Sequence, residues 1–196
     1  MAVNLRPFRD YDEKDVINLY TLDVSSLDSS HNMTTWDLRV PAGTLIAMNT
    51  DGWKTDDELQ MIGGAGDFSV DNVTSERYGV EAKVAVSGAA DRPLGMMLHH
   101  FAKYDENGEL LKYNPRKASE LEAAIEGQAV PVVTRGIFLI SGLAGTGSTA
   151  LTAAGQDLYA GANGQISSHD AGSSVRIGQA LGKTSADGNV LIKLEL

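Results

Sequence analysis

Cysteine is missing from all 196 residues. Disulfide staples, thiolate metal sites and cysteine nucleophiles are therefore excluded. Aromatic residues make up only 6% of the chain, which leaves little material for a broad sugar-stacking groove. No apolar run approaches the ~18 residues that a membrane-spanning helix needs. The opening MAVNLRPFRDYDEKD also lacks the apolar stretch of a secretory signal, so the expectation is a soluble protein made in a cytoplasm.

Positive charge is scarce as well. Sixteen Lys and Arg stand against 26 Asp and Glu, for a net charge of −10. A duplex binder must cover phosphates with basic side chains, and here they are scattered. Arg6 and Arg9 form the densest basic spot, and Asp10, Asp12 and Glu13 follow at once. Nucleic acid is not an expected partner; a negative surface that maintains solubility is the simpler reading.

Glycine is plentiful. Average usage of roughly 7% would give about 14 in a chain of this length. The sequence has 21, and a surplus of tight turns favours an all-β architecture. Val80, Ala82, Val84 and Val86 alternate with Glu81, Lys83 and Ala85, the period of a half-buried strand. Pro41–Asn49 and Pro93–Phe101 read as further strands, and AVPVVTRGIFLISG is rich in β-branched residues, with Gly136 marking a bulge or a close contact. Asn107-Gly108 and Asn163-Gly164 are hairpin signals. The chain closes on VLIKLEL, where Val190, Ile192, Leu194 and Leu196 share one face.

One helix is expected, over about 115–126. Asn114 can cap it, Pro115 suits its first turn, and Gly127 supplies a left-handed stop. Ala118, Leu121 and Ile125 would form its buried face. Residues 1–40 differ from the rest in being polar and loop-like, and DVINLYTLDV within them leaves strand and helix equally open. The fold expected is mainly β, an antiparallel barrel or sandwich over 41–196 with a small barrel-like part at about 130–196. An extended N-terminal arm occupies 1–40.

Chemical motifs fail one by one. GQALGKT comes within one residue of a phosphate loop. However, Gly178 stands four places before Gly182-Lys183-Thr184 instead of five, and Asp187-Gly188 puts a turn where a helix must follow. The glycine clusters MIGGAGDF and SGLAGTGS lack the dinucleotide spacing. His99 and His100 are adjacent, so strand geometry sends them to opposite faces, and His31 and His169 are solitary. Asp105-Glu106-Asn107-Gly108 has a flavour of a calcium loop, but Lys103 stands where its first Asp is needed. No G-x-S-x-G elbow is present, and nothing selects one carboxylate pair among 26 acids. The expectation is therefore a protein with no catalytic residue, no metal and no cofactor.

Three stretches carry a likeness. RPFRDYDEKDVINLY followed by PAGTLI resembles the start of head decoration and other capsid-associated structural proteins of tailed bacteriophages. PVVTRGIFLISG resembles their mid-chain strand. The end is similar to their small β-barrels, in which a G-x-x-L-Y…G hairpin precedes V-x-I-G-x-A-L and a last alternating strand. Here those positions are Gly155, Leu158, Tyr159, Gly161 and Gly164, then Val175, Ile177, Gly178, Ala180 and Leu181.

The resemblance implies a cement protein on the capsid exterior: a homotrimer that binds the major capsid protein and clamps neighbouring capsomers, without nucleic acid or membrane. An acidic chain suits that place, since packaged DNA would repel it inside the shell. An arm of ~40 residues could reach well over ~100 Å if fully extended, at ~3.3 Å each. Arg6, Pro7, Phe8 and Arg9 are its expected anchors, and deleting residues 1–15 is expected to abolish attachment while leaving the domain folded. The alternatives are a carbohydrate- or receptor-binding module of a phage tail or fibre, and a hydrolase acting on a polymer.

Overall fold

The alternation at the chain end becomes a strand with Val190, Ile192 and Leu194 buried and Lys193 in solvent. It belongs to a computed structural model that describes residues 4–23, 39–55, 80–125, 128–143, 151, 153–170, 172 and 174–196. Fourteen strands are described. They are β1 (Asn4–Asp10), β2 (Val16–Ile17), β3 (Thr21–Leu22), β4 (Leu45–Thr55), β5 (Val80–Val86), β6 (Pro93–Met97) and β7 (His100–Phe101). The others are β8 (Ala123–Ala124), β9 (Val132–Val133), β10 (Arg135–Ser141), β11 (Asp157–Ala160), β12 (Ile166–Ser167), β13 (Arg176–Ala180) and β14 (Asn189–Glu195).

The first sheet has the order β1-β10-β14-β13-β11-β12, antiparallel throughout. The second runs β2-β9-β6-β4-β5-β3, antiparallel except for the parallel pair β3 and β5. Sheets of this kind need an apolar face apiece, and the two share one. Leu45, Met96, Leu98 and Val133 from the second-sheet side pack with Phe138, Ile140, Leu158, Ile177, Ile192 and Leu194 of the first. Full burial of side chains this size contributes about 1.5–3 kcal/mol each. The fold is thus mainly β and sandwich-like, as the glycine and alternation patterns implied.

Residues 4–23 form three short strands, broken by a 3-10 turn at Glu13–Asp15, and lie against the chain's own sheets. β1 pairs with β10 in the first sheet, β2 with β9 in the second, and β3 with β5 at the second sheet's far edge. The crossing from sheet to sheet is made together with the partner segment. At the crossing, the Thr134 backbone N–H and hydroxyl both donate to the Asp15 carbonyl, at 2.9 and 3.1 Å. From the other side Leu196 N–H donates to the Thr134 carbonyl at 3.1 Å. The N-terminal segment is a strap over both sheets. Gly136 lies beside this crossing, and a Cβ on it would stand 2.8 Å from both the Asp10 carbonyl and the Phe138 ring. The close contact expected there is present.

One hairpin signal is realised in full, and at the other the chain turns without strands on either side. Asn163 (φ 55°) and Gly164 (φ 67°) form the left-handed pair of a primed turn joining β11 and β12. This tip also touches the second sheet: Gly164 N–H donates to the Ser87 carbonyl at 2.7 Å. A Cβ on Gly164 would meet the Leu45 carbonyl at 2.7 Å, so only glycine lets the two sheets close here. Around Asn107-Gly108 the chain reverses through a bridge between Tyr104 and Leu110.

The helix is shorter than its pattern. Asn114 caps it by accepting from Lys117 N–H at 3.2 Å, and Pro115 opens it, but α1 covers only Pro115–Glu120. Glu122 takes φ 47°, and Ala123-Ala124 become β8, paired in parallel with β7. Two sheet-type bonds, His100 N–H to the Glu122 carbonyl and Ala102 N–H to the Ala124 carbonyl, take the backbone out of the helix. Tertiary pairing outweighs propensity in this stretch. Leu121 and Ile125 still pack beside Ala118, so the apolar face was read correctly while its extent was not. The Gly127 stop lies outside the described residues.

Candidate functional site

β1 departs from regular pairing where the expected anchors lie. Leu5 pairs with Ile140 and Arg9 with Phe138, so Arg6, Pro7 and Phe8 all stand opposite Leu139. The extra residues form a bulge within β1, an irregular arch at the sheet's edge. Proline is tolerated here because an arch on an edge strand asks for no ladder N–H, and its presence blocks strand addition by another chain. Arg6, Pro7 and Phe8 are all exposed. Phe8 is 52% exposed, whereas Phe101 and Phe138 are 1% and 0% exposed.

Both arginines have intramolecular partners. Arg6 Nε donates to Asn189 Oδ1 at 3.2 Å, tying the arch to the start of β14. Arg9 points inward, with Nη2 3.2 Å from Glu122 Oε2 and Nη1 3.5 Å from the Leu98 carbonyl. Arg9 Nε is buried and has no hydrogen-bond partner among the described residues. Of the four, Arg9 bolts the strap down, while Arg6, Pro7 and Phe8 form the outward surface.

His100 lies behind that bolt. Its Nδ1 accepts from Ala42 N–H at 3.0 Å and from Arg39 Nε at 3.4 Å, which fixes the corner leading into β4. Burial, and after it the Arg39 charge, pushes the imidazole down from 6.5 to about 4. His99 is exposed in the adjoining bend and is also lowered, mainly by burial of its inner part. The two histidines do not converge, and no group of three His, Cys, Asp or Glu fit to hold a metal occurs among the described residues. His31 lies outside the described residues, and His169 is exposed.

The other motifs have structural places. Asp105 Oδ1 accepts from the backbone N–H groups of Asn107 and Glu109, both at 2.8 Å, which lowers its pKa and shapes the hairpin. Lys117 pairs with the neighbouring Glu106. Gly178 is inside β13, where a Cβ would run into the Lys193 carbonyl of β14. Residues 181–188 turn back into β14 through Gly188 (φ 75°), with Ser185 N–H donating to the Asn189 carbonyl at 2.8 Å. Of the glycine clusters, MIGGAGDF and residues 144–148 of SGLAGTGS lie outside the described residues.

A cleft of about 450 Å³ opens beside the strap. Tyr11, Glu13, Val16 and Asn18 form one wall, Leu98 and His99 the bend, and Ala129 and Pro131 the approach to β9. Its residues come from three separate stretches, and no spacing in the sequence announced it. No family model matches the chain, and neither a curated protein nor a solved structure matches it.

Proposed function

We propose that this protein is a structural component of a tailed-phage head that binds the outer surface of the shell and clamps neighbouring capsomers. The observation that carries the reading is the arch at Arg6, Pro7 and Phe8. A phenylalanine held 52% exposed on an irregular edge forgoes burial and ladder bonds together. Such an exposed aromatic, beside a cation, has the composition of an interface anchor. The net charge of −10 favours a basic or neutral partner surface away from packaged DNA.

In this reading the shell partner is the major capsid protein, and copies of the chain assemble as a trimer at each site. Truncation is a poor test, because deleting residues 1–15 removes β1 and exposes β10 as a new edge. Point variants are better. Purified protein is mixed with heads that lack it, and bound protein is measured by co-sedimentation and by imaging of the particles. Wild type should coat the head at high copy number, and Phe8→Ser should lose most of that binding with an unchanged melting temperature. Attachment of a few copies at the tail alone, or full binding by Phe8→Ser, would overturn the reading.

A further inference from the structure

Beside the arch, and independent of any attachment to a shell, the cleft at the strap has a chemistry of its own. Its floor is carbon, from Val16, Leu98, Ala129 and Pro131. Its rim is Tyr11, Glu13, Asn18 and His99. The Tyr11 ring is stacked on the buried Phe138, with centroids 5.9 Å apart and planes at 24°. One face is thereby fixed, and the residue remains 38% exposed. A ring held by a core aromatic is a preorganised platform, which lowers the entropy cost of stacking a ligand on it.

The rim polar groups are planar and uncommitted. Neither the Glu13 carboxylate nor the Asn18 amide makes a hydrogen bond or ion pair with the described residues. The depressed pKa of His99 leaves its imidazole neutral at pH 7, with one donor and one acceptor. Together they offer acceptors at Glu13, both kinds of group at Asn18 and His99, and a phenol at Tyr11. Among the described residues no Lys or Arg lines the cleft, and Glu13 would repel an anion.

We propose that this cleft binds a neutral mono- or disaccharide, with a sugar C–H face on Tyr11 and its hydroxyls shared among Glu13, Asn18 and His99. A pyranose has both features that the cleft matches, one apolar face and a rim of paired donors and acceptors. The volume is within the range of small-ligand sites. Scarcity of aromatics argued against a broad sugar-stacking groove along the sequence; a single platform needs one ring, and the strap supplies it.

The isolated full chain, labelled with nitrogen-15, is titrated with the methyl glycosides of glucose, galactose, mannose and N-acetylglucosamine, with maltose and lactose, and with sialic acid and Nα-acetyl-lysine methylamide as charged controls. The expected result is saturable binding of at least one neutral sugar in the millimolar range, with amide shifts confined to residues 11–18, 98–99 and 129–130. Asn18→Ala and Tyr11→Leu should each weaken that binding about tenfold, the loss of roughly one good contact, with circular dichroism unchanged in both and melting unchanged in Asn18→Ala, while Tyr11→Leu loses only the small stability of its stack on Phe138. Absence of binding by every neutral sugar overturns the proposal. So does equal binding by both variants, or saturation by a charged control alone. Because the assay uses no particles, its failure leaves attachment to heads to be judged separately.

Discussion

The C-terminal hairpin and the N-terminal strap are both edge-to-core β structure, yet they are built on opposite principles. In the hairpin, β13 and β14 pair in register from Gly178–Leu194 to Ala180–Ile192, and residues 181–188, turning at Asp187-Gly188, join them. Its outer face is charge-matched: Asp157 lies 2.7 Å from Arg176, Arg176 lies 3.9 Å from Glu195, and Lys193 pairs with Glu195. In the strap, three residues face one, Pro7 interrupts the ladder, and Phe8 stands in solvent. The charged groups on the hairpin's outer face are matched within the sheet. The strap exposes an aromatic arch and borders an open cleft. Where a small β protein leaves its groups unmatched is where its contacts are to be sought.

Breaking the hairpin should have the largest effect. Gly178→Ala drives a methyl group into the Lys193 carbonyl of the adjacent strand. Backbone cannot move aside as a side chain can, so a loss of about 3 kcal/mol or more is expected in urea unfolding.

Acid should then separate the two regions. The His100 pKa is about 4 in the folded chain against 6.5 unfolded, so the unfolded chain binds the extra proton between those values. The stability held by neutral His100 is complete above pH 6.5, declines as pH falls, and is fully lost below about 4; the change is at most about 3 kcal/mol and is reduced by solvent screening, because the ring is only partly buried. The groups acting on it are Arg39, Glu122, Arg9 and His99, all around the strap. Hairpin carboxylates respond later. Arg176 holds Asp157 below its usual 3.8 and Lys193 holds Glu195 below its usual 4.5, so their contribution fades only as pH falls below those values. Amide exchange across a pH series should therefore show the region around His100 opening before β13 and β14. Simultaneous opening would refute the separation.

Smaller effects sharpen the contrast. Arg176→Gln removes an exposed ladder of ion pairs and should lower the melting temperature slightly at low salt and not at all at high salt. Phe8→Ser should change stability by less than about 0.5 kcal/mol, because the ring is on the surface. Its consequence is expected in binding alone.

Much of the fold could be read along the chain. Val190, Ile192 and Leu194 announced their shared buried face, Asn163-Gly164 its turn, and Asn114-Pro115 the start of the helix. Strand period, turn chemistry and caps act over a few residues, so they survive in the sequence. The end of the helix did not. At Ala123 the outcome depends on His100 and Phe101, more than twenty residues away.

The candidate site was harder still. Arg6, Pro7, Phe8 and Arg9 could be picked out as an unusual cluster, but not their division of labour. Glu122 and the Leu98 carbonyl turn Arg9 inward, and the register slip against Leu139 turns Phe8 outward. The cleft joins residues 11–18, 98–99 and 129–131, which meet only after both sheets have formed. By itself the sequence determined that this is an acidic, cysteine-free, mainly β protein with turns at Asn107-Gly108, Asn163-Gly164 and Asp187-Gly188, because these follow from composition and short-range sterics; Asp51-Gly52, the same kind of pair, runs on inside β4. Tertiary structure alone decided that the N-terminal segment straps its own two sheets, that His100 Nδ1 accepts from Ala42 and Arg39, and that a cleft opens beside Tyr11. Those outcomes depend on long-range pairing and desolvation, which no local pattern encodes.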